Sequence, residues 1–280
     1  MPGMFCRHNR LTSKCPICSR ELDDNLRKQA PTRAARPRAA SGGSRTRRAS
    51  SSRPGGVVTR KLARAADDGY RNPLVPGLRA TADAERLAVA LTRAAARLQA
   101  PGPYPDIASE PDLERATWTA FLRALGAEDE GELTPAQQRT ADAYRAWVER
   151  AGSQEAGFTG EAIWTPERRF GRVFERLSLP GFTRGARYDL LATLGAAGRY
   201  PLAADSLHFV EDDATTLAAK RALVSGDRLL LERRAKELAD AAALPVAALD
   251  RGLAVWGTPG EHVDLAGEVD SGVAAALGIR

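Results

Sequence analysis

Arg176-Leu177-Ser178-Leu179-Pro180-Gly181-Phe182-Thr183-Arg184-Gly185-Ala186-Arg187-Tyr188-Asp189-Leu190-Leu191 is the stretch that decides how this chain is read. Just upstream, Phe170, Val173, Phe174 and Leu177 recur at i, i+3, i+4 and i+7, one face of a helix that Thr165-Pro166 caps. Pro180 cannot continue that helix, and Gly181 takes conformations costly to other residues, so the pair predicts a tight turn. A helical pattern resumes at Arg184. The unit therefore reads helix, turn, helix, with Leu179 and Phe182 anchoring the turn in the core. The first amides of the second helix have no intrahelical acceptors and are free to hold a DNA phosphate.

The same 3.6-residue period runs through most of the chain after Thr81. Leu87, Leu91, Ala94 and Leu98 mark one face, and Pro101-Gly102-Pro103 ends that helix. Ser109-Glu110-Pro111-Asp112 reads as a capping box ahead of Leu113, Trp118, Phe121, Leu122 and Leu125. Thr134-Pro135-Ala136-Gln137 reads as a second, opening a helix with Tyr144, Trp147 and Val148 inward. Further helices are predicted near 213–225, 227–243 and 245–256, with Asp213 and Asp227 as caps of the first two. Each stripe is most simply core, with no cofactor implied. Alternating apolar runs and Asn-Gly or Asp-Gly turns are missing, so residues 66–280 read as an all-α body of about eight helices.

The 280 residues carry a formal charge of +6, which hides a division. Residues 1–65 hold sixteen basic and three acidic side chains, a net of +13; the remainder nets −7. A basic arm on a mildly acidic body suits contact with a polyanion; the alternative is a solvating spacer in an Arg- and Ala-rich chain. Gln29 to Gly56 contains seven Arg, no acid and no large apolar residue, so 29–65 is expected to be a disordered linker. A short basic segment, Val57 to Ala66, is expected to start a helix before the turn signals around Gly69, Pro73 and Pro76. No apolar run approaches the ~20 residues of a membrane span, and none at the start resembles a secretory signal, so a cytoplasmic, nucleoid-associated monomer is expected.

All three cysteines fall in the first eighteen residues, as Cys6-Arg7-His8 and Cys15-Pro16-Ile17-Cys18. Three thiolates and one imidazole suit tetrahedral Zn²⁺, and four protein ligands would close the site, making it structural. Residues 1–28 are too few to bury a core, so the metal would supply their folding energy. The alternative is a Cys-x-x-Cys redox pair, but the βαβ pattern that would frame it is missing.

The hairpin resembles the helix-hairpin-helix of the DNA glycosylase superfamily, where the turn reads Leu-Pro-Gly-Val-Gly. The likeness continues downstream: Gly198-Arg199-Tyr200-Pro201-Leu202-Ala203-Ala204-Asp205-Ser206-Leu207-His208-Phe209 resembles that family's segment ending in Val-Asp-Thr-His, whose aspartate is catalytic and sits at a helix start. Gly181 to Asp205 is 24 positions. The resemblance covers about 165–256 and implies a helical glycosylase-like body that binds DNA through Leu179, Gly181, Phe182, Thr183, Arg184, Gly185 and Arg187. It implies removal of a damaged or modified base in DNA repair, with Asp205 as the carboxylate that stabilises the cationic sugar. It also implies a flipped nucleotide in an aromatic pocket, for which Tyr188, Trp164 and Phe209 are the candidates.

Three departures shape the expectation. Thr183 replaces the second hairpin glycine. The lyase lysine's slot holds Arg184 or Gly185, neither able to form a Schiff base, so hydrolysis without strand cleavage is expected. The C-terminal four-cysteine iron–sulfur loop is missing, since no cysteine follows Cys18. The hairpin also resembles predicted pyrophosphorylases of hypermodified thymine in the same superfamily. Asp205 reads equally as a helix N-cap, Arg184 and Arg187 equally as solvated helix charges, and His208 as structural or a partner of the site rather than a general base. A non-catalytic DNA-binding module, or an inactive relic whose arm meets acidic partners, remains the alternative to an enzyme.

Overall fold

The computed structural model describes residues 65–211, 213–258 and 268–279, all within the second of two units, Val58–Arg280. The four expected zinc ligands and the linker to Arg64 lie outside these residues. Among the described residues there are eleven α-helices and no strand. They are α1 (Thr81–Arg97), α2 (Pro105–Ser109), α3 (Leu113–Ala124), α4 (Pro135–Ala151), α5 (Gln154–Thr159), α6 (Pro166–Arg176), α7 (Arg184–Ala196), α8 (Ala214–Leu223), α9 (Arg228–Ala241), α10 (Val246–Gly257) and α11 (Ser271–Leu277).

Caps explain most of the boundaries. Thr134 and Gln137 form the reciprocal capping box that opens α4. Thr165, Thr183, Asp213 and Asp227 each accept from amides in the first turns of α6, α7, α8 and α9. The box expected at Ser109 is not formed: Ser109 ends α2, and Asp112 caps α3 by accepting from Glu114 and Arg115 N–H. The extra helices beyond the expected eight are the short ones, α2, α5 and α11, of five to seven residues.

Helix α10 packs along α1 and against α8, while α3 packs on α7 and α6 on α7. The inward faces match the sequence stripes: Leu87, Leu91, Phe170, Val173, Phe174 and Leu177 are all buried. A chain of rings from Trp118 through Phe121 and Tyr144 to Trp147, Phe158 and Tyr200 fills the region between α3, α4 and α5. Phe182 joins it edge-on to Phe121 at 5.3 Å, so the hairpin turn is fastened to this aromatic core.

Candidate functional site at the helical hairpin

The turn between α6 and α7 has the geometry its sequence requires. Gly181 has φ +76°, in the left-handed region, and a Cβ there would run into the Thr140 hydroxyl of α4. Phe182 N–H donates to the Leu179 carbonyl at 3.1 Å, closing the turn, and Leu179 packs partly buried on the core. Thr183 then accepts from Ala186 N–H at 3.2 Å. Among the described residues no group accepts from the Arg184 and Gly185 amides at the start of α7.

After α7 the chain runs back along it as an irregular segment, 198–211, laid against both hairpin helices. Ala203 N–H donates to the Pro166 carbonyl of α6, and Arg169 reaches across to the Pro201 carbonyl. Tyr188 of α7 donates its hydroxyl to the Ser206 carbonyl at 3.1 Å, and Arg184 donates Nε and Nη2 to the Leu207 carbonyl. From the far side Glu232 of α9 accepts from both Leu207 and Phe209 N–H, at 2.9 and 3.0 Å. His208, at φ +48°, stacks on Phe174 with ring centres 4.4 Å apart and lies against Gly171. Its Nε2 is buried with no partner among the described residues, and burial lowers its pKa.

Arg184 is a correction to the sequence reading. It is not a solvent-facing phosphate ligand but a 3 % exposed side chain that binds Asp250 of α10, Asp213 at the cap of α8 (3.2 Å) and Thr215. Burial alone would lower its pKa, but the two carboxylates outweigh that and raise it. Asp250, fully enclosed, is pushed up to about 6 because burial penalises its charge more than the shared guanidinium relieves it. Asp213 Oδ1 also lies 3.9 Å from where a Cβ on Gly185 would stand, so a carboxylate flanks the first turn of α7.

The other predicted residues divide. Asp205 is exposed and within electrostatic range of the Tyr188 hydroxyl and the His208 ring, but it starts no helix: the next one begins at Ala214 under Asp213. Both the catalytic pattern's helix start and the N-cap alternative are therefore corrected at Asp205. Tyr188, Trp164 and Phe209 do not line one pocket. All three are buried; Tyr188 packs edge-on to Phe170, and Trp164 lies under Arg176. Only Phe209 borders the cleft at the hairpin end, about 470 Å³ in volume, with Phe174, Ser178, Arg187, Ser206 and His208. Arg228, Leu229 and Glu232 form its opposite wall. Glu232 and Asp250 went unnoticed in the sequence, although Asp250 falls on the apolar face of α10 beside Leu249 and Leu253.

No family model, curated protein or solved structure matches this chain.

Proposed function

We propose that the protein binds DNA at its hairpin end and hydrolyses the N-glycosidic bond of a damaged or modified base, with Asp205 as the working carboxylate. The observation that carries this reading is the return segment. It is tied to both hairpin helices and to α9, and it brings the exposed Asp205 back along the helix whose N-terminus would meet the phosphate backbone. In such a step the C1′–N bond breaks and its electron pair leaves with the base. A water oxygen then bonds to C1′, and the carboxylate, stabilising the cationic sugar, takes the water's proton. No lysine lies between Trp164 and Lys220, so a Schiff-base lyase step has no nucleophile here. The N-terminal arm, with Zn²⁺ on Cys6, His8, Cys15 and Cys18, adds generic attraction to the backbone in the same proposal.

A second reading, DNA binding without cleavage, is favoured by one feature. Asp205 is itself exposed, in an irregular segment, without the buried setting that strengthens a carboxylate's effect on a developing cation. One experiment separates the two. Duplexes carrying a panel of damaged and modified bases are incubated with the protein and treated with alkali to reveal abasic sites. Product that disappears in Asp205→Asn, with duplex affinity within twofold of wild type, supports the enzyme. Binding without product on any duplex supports the module.

A further inference from the structure

The cleft at the hairpin end is lined by two arginines, neither of which forms an ion pair with a described residue. Arg187, half-buried on α7, lies over the Phe174 ring at 4.4 Å, and its one hydrogen bond to a described residue runs from Nη1 to the Phe174 carbonyl at 3.2 Å. Its Nε is buried with no acceptor, and no carboxylate pairs with it among the described residues. A buried orphan donor in a native fold calls for a missing partner such as an ion or a ligand atom. Arg228, exposed on the opposite wall at the start of α9, likewise has no ion pair with a described residue.

The acids of the same cleft are already engaged. Glu232 accepts the two backbone amides of the return segment, and Glu175 pairs with Arg172 at 3.4 Å. Ser178 and Ser206 add hydroxyls to the lining, and Leu229 and Val210, 77 % and 37 % exposed, add an apolar lip. A volume of about 470 Å³ falls in the range of small-molecule sites. Two cations, hydroxyl donors and an apolar edge together match an anion carried on a partly apolar body.

We propose that this cleft binds the phosphate of a nucleotide, with the Arg187 guanidinium receiving the anion and Arg228 closing on it from the rim. The choice of a nucleotide rests on the reading of this end as the nucleic-acid face; the positive charge and the orphan donor do not. The phosphate has two sources, a phosphodiester of a DNA strand or the monoester of a free nucleotide. Charge-assisted hydrogen bonds to a guanidinium are the strong contacts such a site would use.

The test is calorimetric titration of the full chain with thymidine 5′-monophosphate, thymidine, inorganic phosphate and a 12-base-pair duplex. In parallel the Arg187 Nε–H resonance is followed by NMR. The monophosphate is expected to bind at least tenfold tighter than thymidine, and phosphate and monophosphate are both expected to shift the Arg187 resonance. Arg187→Gln should weaken the monophosphate at least tenfold and Arg228→Gln two- to fivefold, with Arg187→Lys between. Equal affinity for nucleoside and nucleotide overturns the proposal, as does a folded Arg187→Gln that binds like wild type. Should Arg187→Gln fail to fold, an unmoved Nε–H resonance in the wild type, or Arg228→Gln at full affinity, overturns it equally. Monophosphate binding without duplex binding upholds the cleft and removes the DNA reading. Duplex binding indifferent to Arg187→Gln and Arg228→Gln does the reverse.

Discussion

Replacing Arg184 by Gln should make the stability of this fold sharply pH-dependent, and the sign follows from Asp250. In the folded chain Asp250 is raised from 3.8 to about 6 by burial, facing Arg184 with Asp189, Asp213 and Tyr188 nearby. A carboxyl whose folded pKa lies above its unfolded one takes up a proton on folding. Its contribution to stability is fully present below about 3.8 and is lost as pH rises through about 6, a span of about 3 kcal/mol. Removing the guanidinium leaves Asp250 without its cation, which costs about 3–5 kcal/mol at neutral pH and extends the loss to higher pH. At pH 5, where Asp250 holds a proton, the same substitution should cost less. Urea unfolding of wild type, Arg184→Gln, Asp250→Asn and the double variant at pH 5, 6, 7 and 8, followed by far-UV circular dichroism, measures this. Asp250→Asn should flatten the pH profile and recover part of the Arg184→Gln loss. An Arg184→Gln penalty equal at pH 5 and pH 8, or a double-variant coupling below ~0.5 kcal/mol, would refute the account of this network.

Four further outcomes are expected. Gly181→Ala, which puts a side chain at φ +76° and against the Thr140 hydroxyl, should lower stability by about 1–3 kcal/mol; adding Thr140→Ala should restore only the steric part, as read by thermal melting. Asp213→Asn keeps a side chain able to cap α8 but removes a negative charge flanking the first turn of α7, so duplex affinity at low salt should rise several-fold; no change would mean that no phosphate meets those amides. Metal analysis should find about one zinc per chain with three thiols protected from alkylation, and Cys15→Ser should release it; two or fewer protected thiols contradict the ligand set. Removing residues 1–56 should make the slope of log K against log salt shallower by several units, and an unchanged slope would leave the arm without a role in DNA contact.

The hairpin was legible because its signals are local. Pro180-Gly181 breaks a helix whatever surrounds it, and Thr165, Thr183, Asp213 and Asp227 cap through amides two or three residues away. Arg184 was misread because its partners are distant in the chain: Leu207, Asp213 and Asp250 lie 23, 29 and 66 residues on. Seen alone, an arginine in the first turn of a helix beside a Pro-Gly turn reads as a surface cation. Periodicity did hold a trace of the truth, since Arg184 falls four residues before Tyr188 and seven before Leu191, both fully inward. A charge on an apolar stripe requires a partner on the facing helix, and Asp250 interrupts the stripe of α10 in the same way. The aromatic candidates failed for the opposite reason: being large and apolar, Tyr188 and Trp164 went to the core, where most such side chains go.

These placements change which groups at the hairpin are available to an anion. A helix N-terminus offers roughly half a positive charge, and a carboxylate in its first turn offsets much of that attraction. Here Asp213 flanks Gly185, while Arg184, the nearest cation, is shared between two carboxylates in the interior. The amides of α7 thus present a weaker anion site than the Leu-Pro-Gly turn suggests by itself. Arg187, one turn along and opening on the cleft, is paired with no carboxylate among the described residues, the cleft's Glu175 and Glu232 being bonded to Arg172 and to the return segment's amides, and burial together with the nearby Arg184 charge lowers its pKa. An arriving phosphate would relieve that repulsion at Arg187, whereas at the start of α7 it would meet Asp213. Electrostatics therefore moves the favoured phosphate position from the turn toward the cleft, beside the segment that carries Asp205 and Ser206.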